Sequence, residues 1–234
     1  MQTRNETMKL VVTAILLASA IVIDLIVSFV PGLNLSMPFG GKFFGISMIP
    51  IVMIGLLFGL KYGLASGLIF GLYNFSFDYL IYLSALKDTL ESWTGTSWSG
   101  GQIFLLIFLD YAMPFTAFGL SGLFKQGMRY RRSIIYATFS VSVIRLVSST
   151  LSGVVLWQSS IQYAVDEVNA GGDPNLATNI FAMVGGNLWL YSMFYNLTYI
   201  LTTAIFVVII LLSIRVRLVD LLEKNQIIQT DDLQ

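Results

Sequence analysis

Polar side chains that could bind a ligand interrupt the long apolar runs of this chain, and they recur at similar depths. Asp110, Ser149 and Asn196 each lie about eight residues, or about 12 Å, from the same end of a predicted helix. Asp24 lies slightly closer to that end. The same half of another predicted helix carries Tyr73, Asn74, Asp78 and Tyr79. Because a charge inside a membrane costs about 3 kcal/mol on insertion scales, such residues usually mark function. The pattern predicts a small-molecule pocket in one half of a helical bundle.

A purely structural role for these acids is the alternative. In that interpretation Asp24 or Asp110 neutralises Arg145, which lies in the middle of another predicted helix. A buried cation and a buried acid commonly pair in this way, because each removes the cost of the other's charge.

The residue types that are absent exclude most catalytic chemistry. The chain has no Cys and no His, which removes disulfides, thiol nucleophiles and the commonest general base and metal ligand. It has no P-loop sequence for binding ATP. Asp24, Asp78 and Asp110 could in principle pair as acid and base, but no nucleophile–base pair or set of metal ligands accompanies them. We therefore expect no enzymatic activity, no cofactor and no metal.

The composition is typical of an integral membrane protein. Of the 234 residues, 56% are hydrophobic and 11% are charged, whereas soluble domains carry about 25% charged residues. A membrane span needs about 20 apolar residues, so six spans and their loops use residues 1–234 as a single membrane domain. The 13 basic and 13 acidic residues balance, which argues against nucleic acid as a partner.

The apolar runs predict an all-α bundle of six transmembrane helices in contact with lipid, at about 8–30, 46–60, 62–83, 102–124, 133–157 and 188–214. Most basic residues lie beside the helix ends on one side, including Arg129, Arg131 and Arg132 after the fourth helix. By the positive-inside rule this side and both termini are cytoplasmic. Two long loops, at about 84–101 and 158–187, then lie outside the cell, on the side where the polar half of the bundle opens. The Gly- and Pro-containing stretch 37–41 could re-enter the membrane or lie at its surface.

Small residues on the first helix suggest a contact with another helix. Ala14 and Ala18 are four residues apart, which places them on one face and lets a second helix approach closely. Ordinary packing inside the bundle is the alternative interpretation of this pair.

Three segments together resemble the thiamine-specific S-component of energy-coupling-factor (ECF) transporters. They are FLDYAMPF at 108–115 with FGLSGLF at 118–124, RLVSSTLSGVVLW at 145–157, and YSMFYN at 191–196. The Ala14 and Ala18 pair is similar to the motif by which this family docks on its transmembrane partner. The six-helix layout is also that of the family and covers nearly the whole chain.

The resemblance implies a substrate-binding subunit of the plasma membrane that performs no chemistry itself. Such subunits capture a vitamin, and a transmembrane coupling protein with two cytoplasmic ATPases then drives its release into the cell. Asp110 matches the family's acidic residue that binds the aminopyrimidine of thiamine, and Trp157 matches the tryptophan that stacks on the thiazolium. Tyr191 and Asn196 match a tyrosine and an asparagine of the family's site. A Trp face and a carboxylate suit this ligand, because thiamine is an aromatic cation.

The sequence also departs from the family pattern. Ser149 stands where the family has a histidine, Ile46 lies near the place of an expected tryptophan, and Asp110 is shorter than the usual glutamate. A related vitamin, a thiamine precursor or a phosphorylated thiamine therefore remains an alternative ligand. A stand-alone secondary transporter is the alternative function, although the polar residues lie in only one half of the bundle.

Overall fold

Helices form almost all of the described structure. It is a computed structural model, and it describes residues 2–30, 32–33, 35–43, 45–77, 88, 91–92, 97–124, 127–225 and 227–228. The helices are α1 (Gln2–Phe29), α2 (Met48–Phe58), α3 (Leu60–Phe75), α4 (Gly100–Leu106), α5 (Met113–Thr116), α6 (Arg131–Val155), α7 (Gln158–Asn169), α8 (Leu176–Met183) and α9 (Leu188–Lys224). An antiparallel bridge joins Ser36 to Lys42 and makes residues 35–43 a hairpin, which we call the 35–43 hairpin.

Four helices of the described residues are long and apolar enough to cross a membrane. They are Glu6–Phe29, Gly100–Leu123, Arg131–Val155 and Leu188–Lys224. α2 is apolar but has only 11 residues, and α3 has 16, fewer than the roughly 20 of a full span. Most of the predicted outer part of the third helix, 78–83, and of the loop at 84–101 falls outside the described residues. The prediction of an all-helical membrane protein is confirmed, and the count of six spans stays a prediction.

The helix that holds Asp110 changes its winding three times between Gly100 and Leu123, and we call it the composite helix. Ser99 caps α4 through a capping box with Gln102. A π-helical segment, Ile107–Ala112, joins α4 to α5, and a 3-10 segment, Ala117–Leu123, follows α5. Pro114 explains the π segment, because it has no N–H to donate to the carbonyl four residues earlier, that of Asp110. Single-turn π segments of this kind are frequent at functional sites.

Glycines let the composite helix pack directly on the backbone of its neighbours. A Cβ added at Gly119 would lie 2.2 Å from the carbonyl carbon of Gly63, and one added at Gly122 would lie 2.4 Å from that of Gly59. A Cβ added at Gly67 would likewise lie 2.6 Å from the carbonyl oxygen of Phe115. Because there is no hydrophobic driving force between helices within lipid, van der Waals contact at such close approach is a main source of packing energy in membranes.

The bundle has a tightly packed apolar end and a more polar end. We call the end with the apolar packing the Arg129 end. At its surface Arg129 forms an ion pair with Glu223, and the Arg129 carbonyl accepts a hydrogen bond from Arg215 (2.7 Å). The fully buried side chains between this end and the middle include Ile51, Ile54, Phe70, Ile134, Val141 and Leu211. The other end, called the Trp157 end, contains the hairpin, α7, α8 and most of the buried tyrosines.

The stretch 158–187, predicted as a loop, is largely helical and forms α7 and α8. Its position outside the membrane stays a prediction. Asn175 caps α8 by accepting hydrogen bonds from the N–H groups of Ala177 (2.9 Å) and Thr178 (3.1 Å). α7 is amphipathic and buries Ile161 and Ala164. Apolar side chains of both helices share one buried cluster with Tyr191 and Tyr195 of α9.

Helix ends also differ from the predicted bounds. α1 begins at Gln2 rather than near residue 8, and α9 continues to Lys224 rather than ending near 214. The extra turns of α9 persist because Leu222 is buried and Glu223 is paired with Arg129. α6 ends at Val155, so Trp157 stands in the turn between α6 and α7.

Candidate functional site

A cavity of about 520 Å³ opens between the hairpin, the composite helix, α6 and α9. Its volume is within the usual range for small-molecule sites, about 300–1,000 Å³. The cavity brings together all five residues that the sequence predicted to bind substrate, namely Asp110, Ser149, Trp157, Tyr191 and Asn196. Their individual binding roles remain predictions. Lys42, Arg145, Tyr195 and Tyr199 also line it.

Asp110 and Trp157 are joined directly. The indole N–H of Trp157 donates a hydrogen bond of 2.9 Å to Oδ2 of Asp110. The π segment turns Asp110 and its neighbour Tyr111 toward the cavity together. Trp157 also contacts the ring of Trp98 edge to face, with 6.4 Å between ring centroids. The pair therefore combines a carboxylate and an aromatic face in one rigid wall.

Asn196 is held by its neighbours on α6 and α9. Its Nδ2 donates to the carbonyl oxygens of Ser192 (2.7 Å) and Ser149 (3.2 Å), and its Oδ1 accepts a hydrogen bond from the Tyr199 hydroxyl (2.6 Å). Gly153 permits this close approach of the two helices, because a Cβ there would lie 2.1 Å from the Ser192 Oγ. The amide is therefore fixed in one orientation at the cavity wall.

Tyr191, Tyr195 and Tyr199 form an aromatic row at a spacing of four residues along α9. Tyr191 packs edge to face on Phe181 of α8, with ring centroids 5.5 Å apart. Tyr195 accepts the N–H of Phe39 on its hydroxyl (2.8 Å) and so attaches the hairpin to α9. Tyr195 and Tyr199 were missed at the sequence level, although their spacing relative to Tyr191 was the available signal.

The pairing of Asp24 or Asp110 with Arg145, offered above as an alternative, is not observed. Asp24 Oδ1 instead accepts hydrogen bonds from Lys42 Nζ (3.0 Å) and Ser47 Oγ (3.0 Å). Among the described residues, no carboxylate lies within ion-pair distance of Arg145, whose guanidinium carbon lies 4.7 Å from the Phe118 ring centre. Lys42 was missed because it lies on the hairpin, where no helical period indicates which residues meet.

The remaining predicted site residues lie outside the cavity. Ala14 and Ala18 are exposed on α1, whereas the nearby Thr13 and Ala20 are buried inside the bundle. Their docking role remains a prediction. Within the described part of the chain, no cluster of three or more acidic residues is arranged to hold a metal ion.

Comparison with known proteins gives this cavity a context. The family model described as Thiamine transporter protein (Thia_YuaJ) matches residues 10–170, more than half of the chain. The chain belongs to this thiamine transporter family. The matched range of this family member includes Asp110, Ser149 and Trp157. Membership confirms the resemblance drawn from the sequence and indicates a transporter rather than an enzyme.

A curated relative extends the similarity beyond that range. This thiamine transporter family member is 28% identical over 211 residues to the thiamine transporter ThiT of Bacillus subtilis (strain 168). The match covers 90% of this chain and 92% of that protein. The similarity therefore spans nearly the full length of both chains.

Proposed function

We propose that this protein is the thiamine-binding S-component of an ECF-type vitamin transporter in the plasma membrane. In this proposal six helices span the membrane, both termini are cytoplasmic, and the Trp157 end faces outward. The family match and the polar cavity at that end support it. The observation that carries the proposal is the hydrogen-bonded pair of Asp110 and Trp157 in the cavity wall.

The chemistry of this pair suits a cationic, aromatic ligand. A carboxylate accepts charge-assisted hydrogen bonds from an aminopyrimidine, and a Trp face attracts a cation by up to about 2 kcal/mol when desolvated. We assign Asp110 to the aminopyrimidine and Trp157 to the thiazolium. Tyr191 and Asn196 would border the ligand from α9, and Ser149 from α6.

The partners follow from the same proposal. Ala14 and Ala18 are exposed on α1 and have small side chains, so another transmembrane helix can approach them closely. We assign this face to a transmembrane coupling protein, which would connect the subunit to two cytoplasmic ATPases. Ligand capture and delivery are thereby separated, because the cavity and this face lie on different parts of the bundle.

Titration calorimetry of the purified full chain with thiamine tests the proposal. Wild type should bind thiamine, and Asp110→Asn should weaken binding at least tenfold, because it removes the negative charge opposite a cation. Asp173→Asn, which neutralises an exposed acid beyond α7, is the matched control and should bind like wild type. Wild-type affinity in Asp110→Asn would contradict the assigned site. Thiamine uptake by the protein alone, without ATPase partners, would instead support a secondary carrier.

A further inference from the structure

Asn196, one of the residues assigned to the ligand, has no hydrogen-bond donor left to offer. Its amide carries two N–H bonds on Nδ2. The structure gives them three acceptors within the bundle, namely the carbonyl oxygens of Ser192 (2.7 Å) and Ser149 (3.2 Å) and the Ser192 hydroxyl (3.3 Å). Any hydrogen bond between Asn196 and a ligand must therefore end on Oδ1, which can accept two hydrogen bonds.

Tyr199 occupies one of these two acceptor positions. Its hydroxyl donates to Asn196 Oδ1 at 2.6 Å, from a position three residues further along α9. The Tyr199 side chain is buried, so water does not compete for this contact. A rotated amide would place Oδ1 against the carbonyl oxygens of Ser192 and Ser149, which repel it. The amide is thus held in one orientation, with one lone pair of Oδ1 left for a ligand.

The ring of Tyr199 is itself held in place by the hairpin. A Cβ added at Gly41 would lie 2.7 Å from both Cδ1 and Cε1 of Tyr199, so the hairpin backbone lies directly against the ring. The hairpin is attached to α9 one turn to either side of this contact, through the hydroxyls of Tyr195 (2.8 Å) and Thr203 (3.3 Å). The Tyr199 hydroxyl therefore has little freedom to leave Asn196.

We propose that Tyr199 is a positioning residue of the thiamine site, which presents the Asn196 side-chain oxygen to the ligand as a hydrogen-bond acceptor. The inference deepens the proposed function and rests on it. An acceptor at this place favours a ligand that brings an N–H donor and disfavours one that brings an oxygen. Thiamine carries an amino group on its pyrimidine, and the two N–H bonds of that group can serve Asp110 and Asn196 together. Oxythiamine carries an oxygen in place of the amino group.

Titration calorimetry of the full chain with thiamine and with oxythiamine tests the inference through the ratio of the two affinities. Wild type should bind thiamine more tightly than oxythiamine. Tyr199→Phe keeps the ring against Gly41 and removes only the O–H. It should weaken thiamine about fivefold, the typical net effect of one neutral hydrogen bond, and should change oxythiamine less than twofold.

Tyr62→Phe is the matched control for this substitution. It removes a hydroxyl that also donates at 2.6 Å, in this case to Glu6, and Tyr62 does not line the cavity. Tyr62→Phe should therefore change the affinity for neither ligand. An equal loss of thiamine and oxythiamine in Tyr199→Phe would make Tyr199 a structural residue and would overturn the inference.

A double-mutant cycle tests whether Tyr199 acts through Asn196. Asn196→Ala leaves Tyr199 no side-chain oxygen to hold, so adding Tyr199→Phe to it should change thiamine affinity less than twofold. A further fivefold loss in that background would show that Tyr199 acts by another route, and the inference would fail.

The outcomes separate this inference from the proposed function. Failure of wild type to bind thiamine would overturn both. Thiamine binding by wild type with an unchanged affinity ratio in Tyr199→Phe would overturn the inference and leave the proposed function standing. If Asn196→Ala does not fold or binds too weakly to measure, the ratios of Tyr199→Phe and Tyr62→Phe still decide the question.

Discussion

The indole N–H of Trp157 points at the carboxylate of Asp110, and the two atoms that form this hydrogen bond are 2.9 Å apart. The contact joins a residue in the turn after α6 to a π-helical segment far away in sequence. One consequence is that the carboxylate and the aromatic face do not act independently. A change at either residue also moves or frees the other.

Trp157 should therefore contribute to thiamine binding in two separable ways. Trp157→Ala should cost roughly 1–3 kcal/mol of binding, because it removes both the ring face and the N–H. Trp157→Phe keeps a ring face and should lose less. Combined with Asp110→Asn in a double-mutant cycle, Trp157→Phe should show a coupling energy of about 0.5–3 kcal/mol. Calorimetry with thiamine measures each corner of the cycle.

The control for this cycle is Trp189→Ala, because Trp189 is 55% exposed at the start of α9 and does not line the cavity. It should bind thiamine like wild type. Thiamine should also quench the fluorescence of Trp157 in a protein that retains it. Unchanged affinity in a well-folded Trp157→Ala protein would make Trp157 an interfacial residue only.

The ion pair between the buried Asp24 and the partly exposed Lys42 should stabilise the attachment of the hairpin to α1. Lys42→Met leaves the Asp24 carboxylate, which is 4% exposed, without its cation, and because the Lys42 side chain is 30% exposed the cost should lie below the roughly 3–5 kcal/mol of breaking a fully buried pair. Adding Asp24→Asn to Lys42→Met should restore much of the loss. Thermal unfolding of wild type and of these two variants in detergent measures the effect.

An exposed ion pair on the same helix provides the control. Lys9 and Glu6 pair at 3.3 Å, and the Glu6 side chain is 57% exposed. Surface pairs contribute about 0–1 kcal/mol, so Lys9→Met should change the unfolding temperature little. Equal effects of Lys42→Met and Lys9→Met would show that the Asp24 pair does not hold the hairpin.

The depth of polar residues along the helices was enough to predict the candidate site. Helix position alone puts Asp110, Ser149 and Asn196 at one level, and the structure brings them to one cavity. Depth does not give the direction in which a side chain points around the helix axis. Depth alone therefore allows a pairing of Arg145 with an acid, and the structure does not show that pairing.

Depth along apolar helices does not predict the hairpin, α7 or α8. The hairpin places Lys42 beside Asp24 through a turn at Gly40 and Gly41, both of which have positive φ. α7 escaped prediction because its polar residues lower its hydrophobicity, and α8 because it is short. Asn175 and Thr178, three residues apart, nevertheless carry a capping signal for α8.

The glycine contacts between α3 and the composite helix should be sensitive to a single added methyl group. Gly119→Ala places a Cβ within 2.2 Å of the Gly63 backbone, so the helices must separate, and overpacking of this kind typically costs about 1–3 kcal/mol. Thermal unfolding in detergent should show a lowered unfolding temperature. Gly100→Ala is the control, because a Cβ there meets nothing within 4 Å. A Gly119→Ala protein as stable as Gly100→Ala would contradict this close packing.

Ala14→Trp tests whether the exposed face of α1 binds a partner, as proposed. A Trp at this position should prevent close approach of a second helix, and should therefore abolish thiamine uptake in cells that express the partner subunits. Thiamine binding by the purified variant should be unchanged, because Ala14 does not line the cavity. Val147→Trp is the control, since Val147 is also exposed, at 50%, but on α6. It should leave both uptake and binding intact.

Co-purification of the partner subunits with each variant gives the direct measurement, and Ala14→Trp should lose them while Val147→Trp keeps them. If Ala14→Trp loses thiamine binding but still copurifies with its partners, Ala14 contributes to packing of the bundle and the docking face lies elsewhere.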